Sequence, residues 1–478
     1  MKKLKKILAL TLLLTLIPQL CSCNSNNNSL DNNSSLVDEG KTHTLSFDTD
    51  GGNEIAPIVQ ETGTNIKIPY DPIKEGYTFI GWDKKVPDTM PNSDMIFKAQ
   101  WIEGTMRFSI ERNGTASIIS YKGEAKELFL PNVIYNEYKL VEIRENAFAS
   151  CTELTSITIP TSVVTMGRHA FYNCDSLIIY CESTAEPSGW DLYWNYSDRP
   201  VYYGVTRDNI VEKDNIIYVM QNEKAIVVRY IGSDAYVTIP RTIEFNGKTH
   251  YVTSIGKEAF YYCTSLTSIT LPISVTEIGK NTFLYCPQLE NVYYEGSIED
   301  WCHITFGNGT SNPMYYAKHF YMLNGKNEYE EVTSIEIPDT ITRINDYQFY
   351  GFNNVTSITI SSNVIEIGEN AFQDCSSLTI YCETETQPSG WDSNWNNNCK
   401  AYLNASGQVT INGLIYTYNK INSTAIVVDH TNELPIDYTI PETIIIDEKI
   451  YYVRAVNDKT IPLELIAISE VKEVAVGQ

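Results

Sequence analysis

The chain has little of what enzymatic or cofactor chemistry usually requires. Its six histidines are scattered, so they form no cluster with metal-ligand spacing. There is no glycine-rich phosphate loop and no G-x-S-x-G elbow. Basic charge is scarce: 35 Lys and Arg stand against 59 Asp and Glu, for a net charge of −24. That argues against nucleic acid or an anionic membrane as partner, and for solubility and basic partners. The acids are spread along the chain, as on an ordinary solvated surface. An apolar run from Ile7 to Ile17 is too short to span a bilayer and stay there as an anchor.

That run follows Lys2, Lys3, Lys5 and Lys6, the layout of a secretory signal. It ends in Leu20-Cys21-Ser22-Cys23, which resembles the bacterial lipobox. The resemblance implies that Cys23 becomes the lipidated first residue of the mature protein; the alternative is ordinary signal cleavage without a lipid. Asn24 to Gly40 is almost all Asn, Ser and acid, too polar to bury anything, and is expected to be a disordered tether. Such a tether reaches about 20–25 Å.

What is present is a phenylalanine that returns every 23 residues, in pairs: Phe148 and Phe171, Phe260 and Phe283, Phe349 and Phe372. Five of the six are followed three residues later by a cysteine (Cys151, Cys174, Cys263, Cys286, Cys375), and the sixth by Phe352. A fixed period of this size signals a solenoid, whose units bury their apolar faces only by stacking. Within a unit, Leu154, Ile157 and Ile159 form an L-x-x-I-x-I strand closed by Pro160. Val163, Met166, Gly167 and Phe171 follow, and the same offsets recur from Leu266, Val332 and Val355. The glycine suits a tight reversal, and A-F-x-x-C is long enough for about one helical turn.

These residues resemble the BspA-like, or treponemal-class, leucine-rich repeats of bacterial surface proteins, over about Leu140 to Asn404. The resemblance implies a solenoid on a cell surface associated with adhesion, and it brings no catalytic residues. A separate unit from Thr44 to Trp101 carries Gly51-Gly52, Glu75-Gly76-Tyr77-Thr78-Phe79-Ile80-Gly81-Trp82 and Ala99-Gln100-Trp101. Its alternating apolar pattern argues a small all-β domain. It closely resembles the Listeria–Bacteroides repeat, or internalin B-repeat, which implies a β-grasp-like spacer or weak adhesion module. Trp82 and Trp101 are expected in its core.

A second repeat level is visible. Ala116-Ser117-Ile118-Ile119, Ala225-Ile226-Val227-Val228 and Ala425-Ile426-Val427-Val428 look alike and are expected to cap or bridge the solenoid. Pro187-Ser188-Gly189-Trp190-Asp191 recurs as Pro388-Ser389-Gly390-Trp391-Asp392, which marks an internal duplication. The expected fold class is mainly β: a leucine-rich-repeat solenoid with short helical turns, preceded by a small β-grasp-like domain. The expected division runs from a signal peptide (1–22) and tether (23–41) through the internalin B-type repeat (42–102), a β cap (107–139) and a first array (140–204). A bridging segment (208–250) then leads to the second and third arrays (251–404, with an insertion at 292–331), a third cap-like segment (407–456) and an irregular, truncated tail (457–478).

The cysteines after each Phe read as small buried thiols, and their 23-residue spacing matches no zinc motif. Trp301-Cys302-His303 is the one adjacent Cys–His pair, and adjacency alone does not make a nucleophile. Outward strand positions read Ser156 and Thr158, Ser268 and Thr270, Ser357 and Thr359, a poor hot spot for protein binding. Aromatic residues concentrate elsewhere, so the candidate ligand contacts are Trp190, Tyr193, Trp194, Trp301, Tyr315, Tyr316, Trp391 and Trp395. The expected function is a lipid-anchored, non-catalytic scaffold without cofactor or metal that binds host, matrix or neighbouring-cell proteins. The alternative is glycan binding through the tryptophan loops.

Overall fold

The computed structural model of the protein describes residues 40–431 and 440–456. The signal segment 1–22, Cys23, most of the tether and the tail 457–478 lie outside the described residues. Near the N-terminus, Thr42–Asp48 lies between Ile58–Glu61 and Met95–Glu103, with Tyr77–Trp82 at the far edge. The pairing of Thr42–Asp48 with Met95–Glu103 is parallel. Alternation turns Leu45, Phe47, Phe97 and Ala99 inward, where Trp82 packs 5.1 Å from Phe47. Trp82 is buried, as expected, whereas Trp101 is half-buried and donates its indole N–H to Thr49 O at 3.1 Å. The Gly-Gly turn is needed for that packing, because a Cβ at Gly52 would lie 2.9 Å from the Trp101 ring.

The repeats build three parallel sheets. The first places Glu127–Phe129, Ser156–Ile159, Ile178–Cys181 and Val201–Tyr203 side by side. The second runs Tyr236–Thr238, Ser268–Leu271, Asn291–Tyr294 and His319–Leu323, and Tyr329–Glu331 turns back against its end. The third runs Ser334–Glu336, Ser357–Ile360, Thr379–Cys382 and Lys400–Leu403. Ile157 and Ile159, with Ile269, Leu271, Ile358 and Ile360, point inward and are buried. On the opposite side, two-residue strands such as Thr165–Met166 and Glu366–Ile367 stack rung on rung. Where a unit carries this glycine it serves the stacking rather than a reversal; the unit from Val332 has Asn345 in its place. A Cβ at Gly167 would lie 2.2 Å from Glu145 N of the preceding rung, and Gly279 and Gly368 are confined in the same way.

The A-F-x-x-C stretches close as successive turns and not as the helical turn expected. Asn146 and Ser150, on either side of Phe148, have φ of 58° and 62°, which breaks any helix. Their N–H groups and that of Phe148 donate to Arg168, Tyr172 and Ala170 of the next rung at 2.8–3.1 Å. The turn edge is therefore itself a ladder. The one α-helix among the described residues, Ile298–Cys302, lies in the insertion, capped by Ser297.

Each Phe pair stacks inside this coil: Phe148 on Phe171 at 5.3 Å, Phe260 on Phe283 at 5.5 Å and Phe349 on Phe372 at 5.7 Å. Burying such a ring stabilises by about 2–3 kcal/mol, and a neighbouring ring adds to that. The three look-alike segments fold alike. Each is an antiparallel hairpin (Thr105–Ile110 with Thr115–Lys122, Ile216–Gln221 with Lys224–Tyr230, Leu414–Asn419 with Thr424–His430). The second strand of each also pairs in parallel with a later strand, Tyr138–Ile143, Lys248–Ile255 and Lys449–Val456 respectively.

Candidate functional site

The structure corrects the reading of the tryptophans. Trp194 and Trp395 stand 23 residues beyond Phe171 and Phe372, and they occupy the next place in the ring stack, 6.2 and 6.5 Å from those phenylalanines. Trp190 and Trp391 pack edge-on against them at 4.7 and 4.6 Å and donate to Val163 O and Val364 O. All four are buried, so they end the core instead of reaching a ligand. Trp301 is fully buried as well: its indole donates to Gln348 O at 3.0 Å, and Gln348 Nε2 donates back to Trp301 O at 2.6 Å. With Asn312 and Asn345, this network ties the insertion to the first rung of the third array.

Cys302 and His303 make no catalytic pair. Cys302 is buried, and burial pushes its thiol up to about 12, so it stays neutral at physiological pH. The His303 ring meets Glu299 O at 2.7 Å, which ends the short helix. The repeat thiols serve the backbone: Cys174, Cys286 and Cys375 each point at the carbonyl of the Phe one rung earlier, at 3.0–3.1 Å. All nine cysteines among the described residues are free, and among those residues no group of His, Cys, Asp and Glu could hold a metal.

The remaining candidates, Tyr193, Tyr315 and Tyr316, belong to a feature that the sequence reading saw only in part. Along the turn edge of the second and third arrays, tyrosines touch in series. Tyr262 lies 4.6 Å from Tyr285, whose N–H donates to the Tyr316 hydroxyl at 3.2 Å. Tyr316 meets Tyr315 at 4.7 Å, and Tyr315 stacks on Tyr350 at 5.6 Å. Tyr262, Tyr285 and Tyr315 are 59%, 46% and 41% exposed. Tyr193 sits apart, in the first array, under the Arg168 guanidinium at 4.8 Å.

The strand faces are not uniform either. In each array the outward threonine is followed, one and two rungs on, by tyrosine: Thr158, Tyr180, Tyr202; Thr270, Tyr293, Tyr321; Thr359, Tyr381, Tyr402. Each pair is in ring contact, at 6.1, 4.8 and 5.8 Å. Between the first array and the hairpin that follows it lies a cleft of about 540 Å³ lined by Arg199, Arg229 and Glu258. Its cations are already engaged: Arg199 pairs with Glu258 at 3.6 Å, and Arg229 donates to Ser176 O at 2.6 Å. Burial still raises the Glu258 carboxyl despite that pairing.

A solenoid core, a turn-edge ladder and surface aromatics define a repeat scaffold. Residues 126–186, 226–314 and 326–423 match the BspA type leucine rich repeat region in six copies, over more than half of the chain, and the chain belongs to this family. Residues 43–100 match the Listeria-Bacteroides repeat domain. The chain is similar to a leucine rich cell surface protein from Faecalibacterium prausnitzii (22% identity, 64% of this chain and 98% of that one, TM-score 0.25). It is also similar to a leucine-rich repeat protein from Bacteroides ovatus (22% identity, 63% and 76%, TM-score 0.26). A protein of Evansella cellulosilytica whose name calls it a membrane protein is 30% identical over 94 residues, 18% of this chain. The chain covers 14% and 10% of the lengths of the two curated relatives it matches. Among the described residues no helix is long and apolar enough to cross a membrane.

Proposed function

We propose that this chain is a cell-surface lipoprotein, anchored through Cys23, whose arrays bind extracellular or host proteins without catalysis. The observation that carries this reading is the tyrosine series on the turn edge. Tyrosine supplies large, stiff contact area with a polar tip, and it is enriched at protein-binding hot spots. Six such residues in contact (Tyr261, Tyr262, Tyr285, Tyr315, Tyr316 and Tyr350), several of them open to solvent, exceed what the core needs. The lysine-led apolar run, the lipobox-like Cys23 and the polar segment behind it support display at a surface. The glycan alternative rested on tryptophan loops, and those indoles are in the core.

The test is surface plasmon resonance of the purified chain over a panel of immobilised matrix and cell-surface proteins. Saturable binding is expected, with at least about a tenfold loss in a Tyr262→Asn, Tyr285→Asn, Tyr315→Ala variant. Asparagine is chosen because Tyr262 and Tyr285 have φ of 62° and 63°, which Asn tolerates. An unchanged melting curve shows that the variant is folded. No saturable binding anywhere on the panel contradicts the proposal.

A further inference from the structure

Three copies of one surface motif meet different fates in this molecule. In the first array, Tyr180 and Tyr202 pack under the hairpin that follows, against Val219 and Val228, with Ile217 and Ile226 alongside. The fit is close: a Cβ at Gly256 would lie 1.9 Å from the Tyr202 hydroxyl. In the third array, Tyr381 donates to Gln408 at 2.9 Å and Thr359 to Ser406 O at 3.0 Å, so the third hairpin's segment lies over that pair. In both cases the covering segment also delivers a cation to the first place in the same row. Arg207 stacks over Phe129 at 4.3 Å, and Lys420 pairs with Glu336 at 2.9 Å.

The second array has the row but, among the described residues, no hairpin lying over it; its last strand only turns back in plane as Tyr329–Glu331. Tyr293 and Tyr321 stack at 4.8 Å with planes 15° apart, and Tyr329 stands edge-on to Tyr293 at 4.9 Å, 39% exposed. Carboxylates rim this platform: Glu331 is the register partner of Tyr321, and Glu295 directly follows the strand Asn291–Tyr294. Burial first, and then the Glu295 charge, raises the Tyr329 hydroxyl. His319 pairs with Glu331 at 2.7 Å, and Glu295 has no counter-ion among the ion pairs of the described residues. With a net charge of −24, the chain repels a second copy of itself.

We infer that the strand face at Tyr293, Tyr321 and Tyr329 is a docking site for a β-hairpin of a basic partner protein, the open copy of a site that the molecule fills internally twice. The inference rests on the reading that the chain binds proteins, and it adds the place and the partner's chemistry. Aliphatic side chains at alternate positions lie across the stacked rings, as Val219 and Val228 do on Tyr180 and Tyr202. A Lys or Arg of the partner meets the ring faces and Glu295, where cation–π and ionic attraction add.

The probe is a head-to-tail cyclised peptide with the sequence of residues 216–230, the hairpin that fills the first site, whose own place in the chain is already occupied. Cyclisation holds it in hairpin form, since a free hairpin of this size is marginal. Fluorescence anisotropy is expected to show saturable one-site binding that weakens with added salt. Tyr293→Ser with Tyr321→Ser should weaken it about tenfold or more, and Tyr293→Phe with Tyr321→Phe should retain it, which separates lost docking from lost folding. A peptide with serine in place of Ile217, Val219, Ile226 and Val228 should not bind. Absence of saturable binding, or binding indifferent to the serine pair, overturns the inference. So does a dimer in sedimentation equilibrium that the serine pair dissolves, since the occupant is then a second copy. Peptide binding without any hit on the protein panel sinks the surface-scaffold reading and leaves the site standing.

Discussion

The strand faces of the first and second arrays carry the same threonine–tyrosine–tyrosine row; a hairpin covers the first, while no hairpin of the described residues lies over the second, whose Tyr293 and Tyr321 are half-buried beside the exposed Tyr329. The difference comes from what the chain does after each array. After the first, it returns as the hairpin Ile216–Gln221 with Lys224–Tyr230, whose two faces are both apolar: Tyr218 and Met220 enter one core, Val219 and Val228 the other. Within the second, the Ile298–Cys302 insertion closes the core through Trp301, and the last strand, His319–Leu323, turns back as Tyr329–Glu331 and leads directly into the third array. Joining two arrays thus leaves a face free that capping would have used. A repeat scaffold can expose a binding surface simply by omitting a cap.

The comparison can be broken at several points. Alkali should strike all arrays alike. Burial pushes Cys181, Cys302 and Cys382 up to about 12 from an ordinary 9.0. A raised folded pKa means that stability is fully present below pH 9 and is lost as pH rises towards 12, by about 4 kcal/mol for each thiol. Denaturant melts across that window check it; stability that rises with alkali contradicts it.

Tyr180→Ala and Tyr293→Ala separate the faces most sharply. The covered ring should cost about 3–5 kcal/mol, as for other large buried aromatics, and its open counterpart about 1 kcal/mol or less. Equal costs would mean that the second face is as packed as the first. Arg229→Ala comes next. It strips the donors from Ser176 O and Thr155 O and should cost about 1–3 kcal/mol, read by urea denaturation. Lys420→Ala should cost least, about 0.2–1 kcal/mol, because its pair with Glu336 is solvent-exposed; the loss should fade in high salt.

The sequence made the solenoid legible because spacing and residue type agree there: Phe every 23 residues, isoleucines at inward strand positions, a glycine where rungs touch. Trp194 and Trp395 were within reach of the same count, since each falls one period past a Phe. The sequence hides their place because the residue type changes from Phe to Trp and a Pro-Ser-Gly motif interrupts the repeat just before them. The tyrosine rows were hidden for a similar reason. The last rungs of each array, such as Val201–Tyr203 and His319–Leu323, lack the L-x-x-I-x-I pattern, and only strand register reveals that Tyr202 and Tyr321 continue the row. Which row is covered could not be read at all, because covering depends on a hairpin packing with its second face. Tyr315 and Tyr316 stand out in the insertion by composition, but their link to Tyr285 and Tyr350 is a contact across rungs.

The most direct test of the open second face is tyrosine-selective labelling of the native chain, mapped by mass spectrometry. Tyr329, which is exposed, and the half-buried Tyr321 should react in the folded protein, while the buried Tyr180 and Tyr381, and Tyr202 beneath its hairpin, stay protected until it unfolds. Equal protection of both sets, or equal reaction of both, would contradict the account.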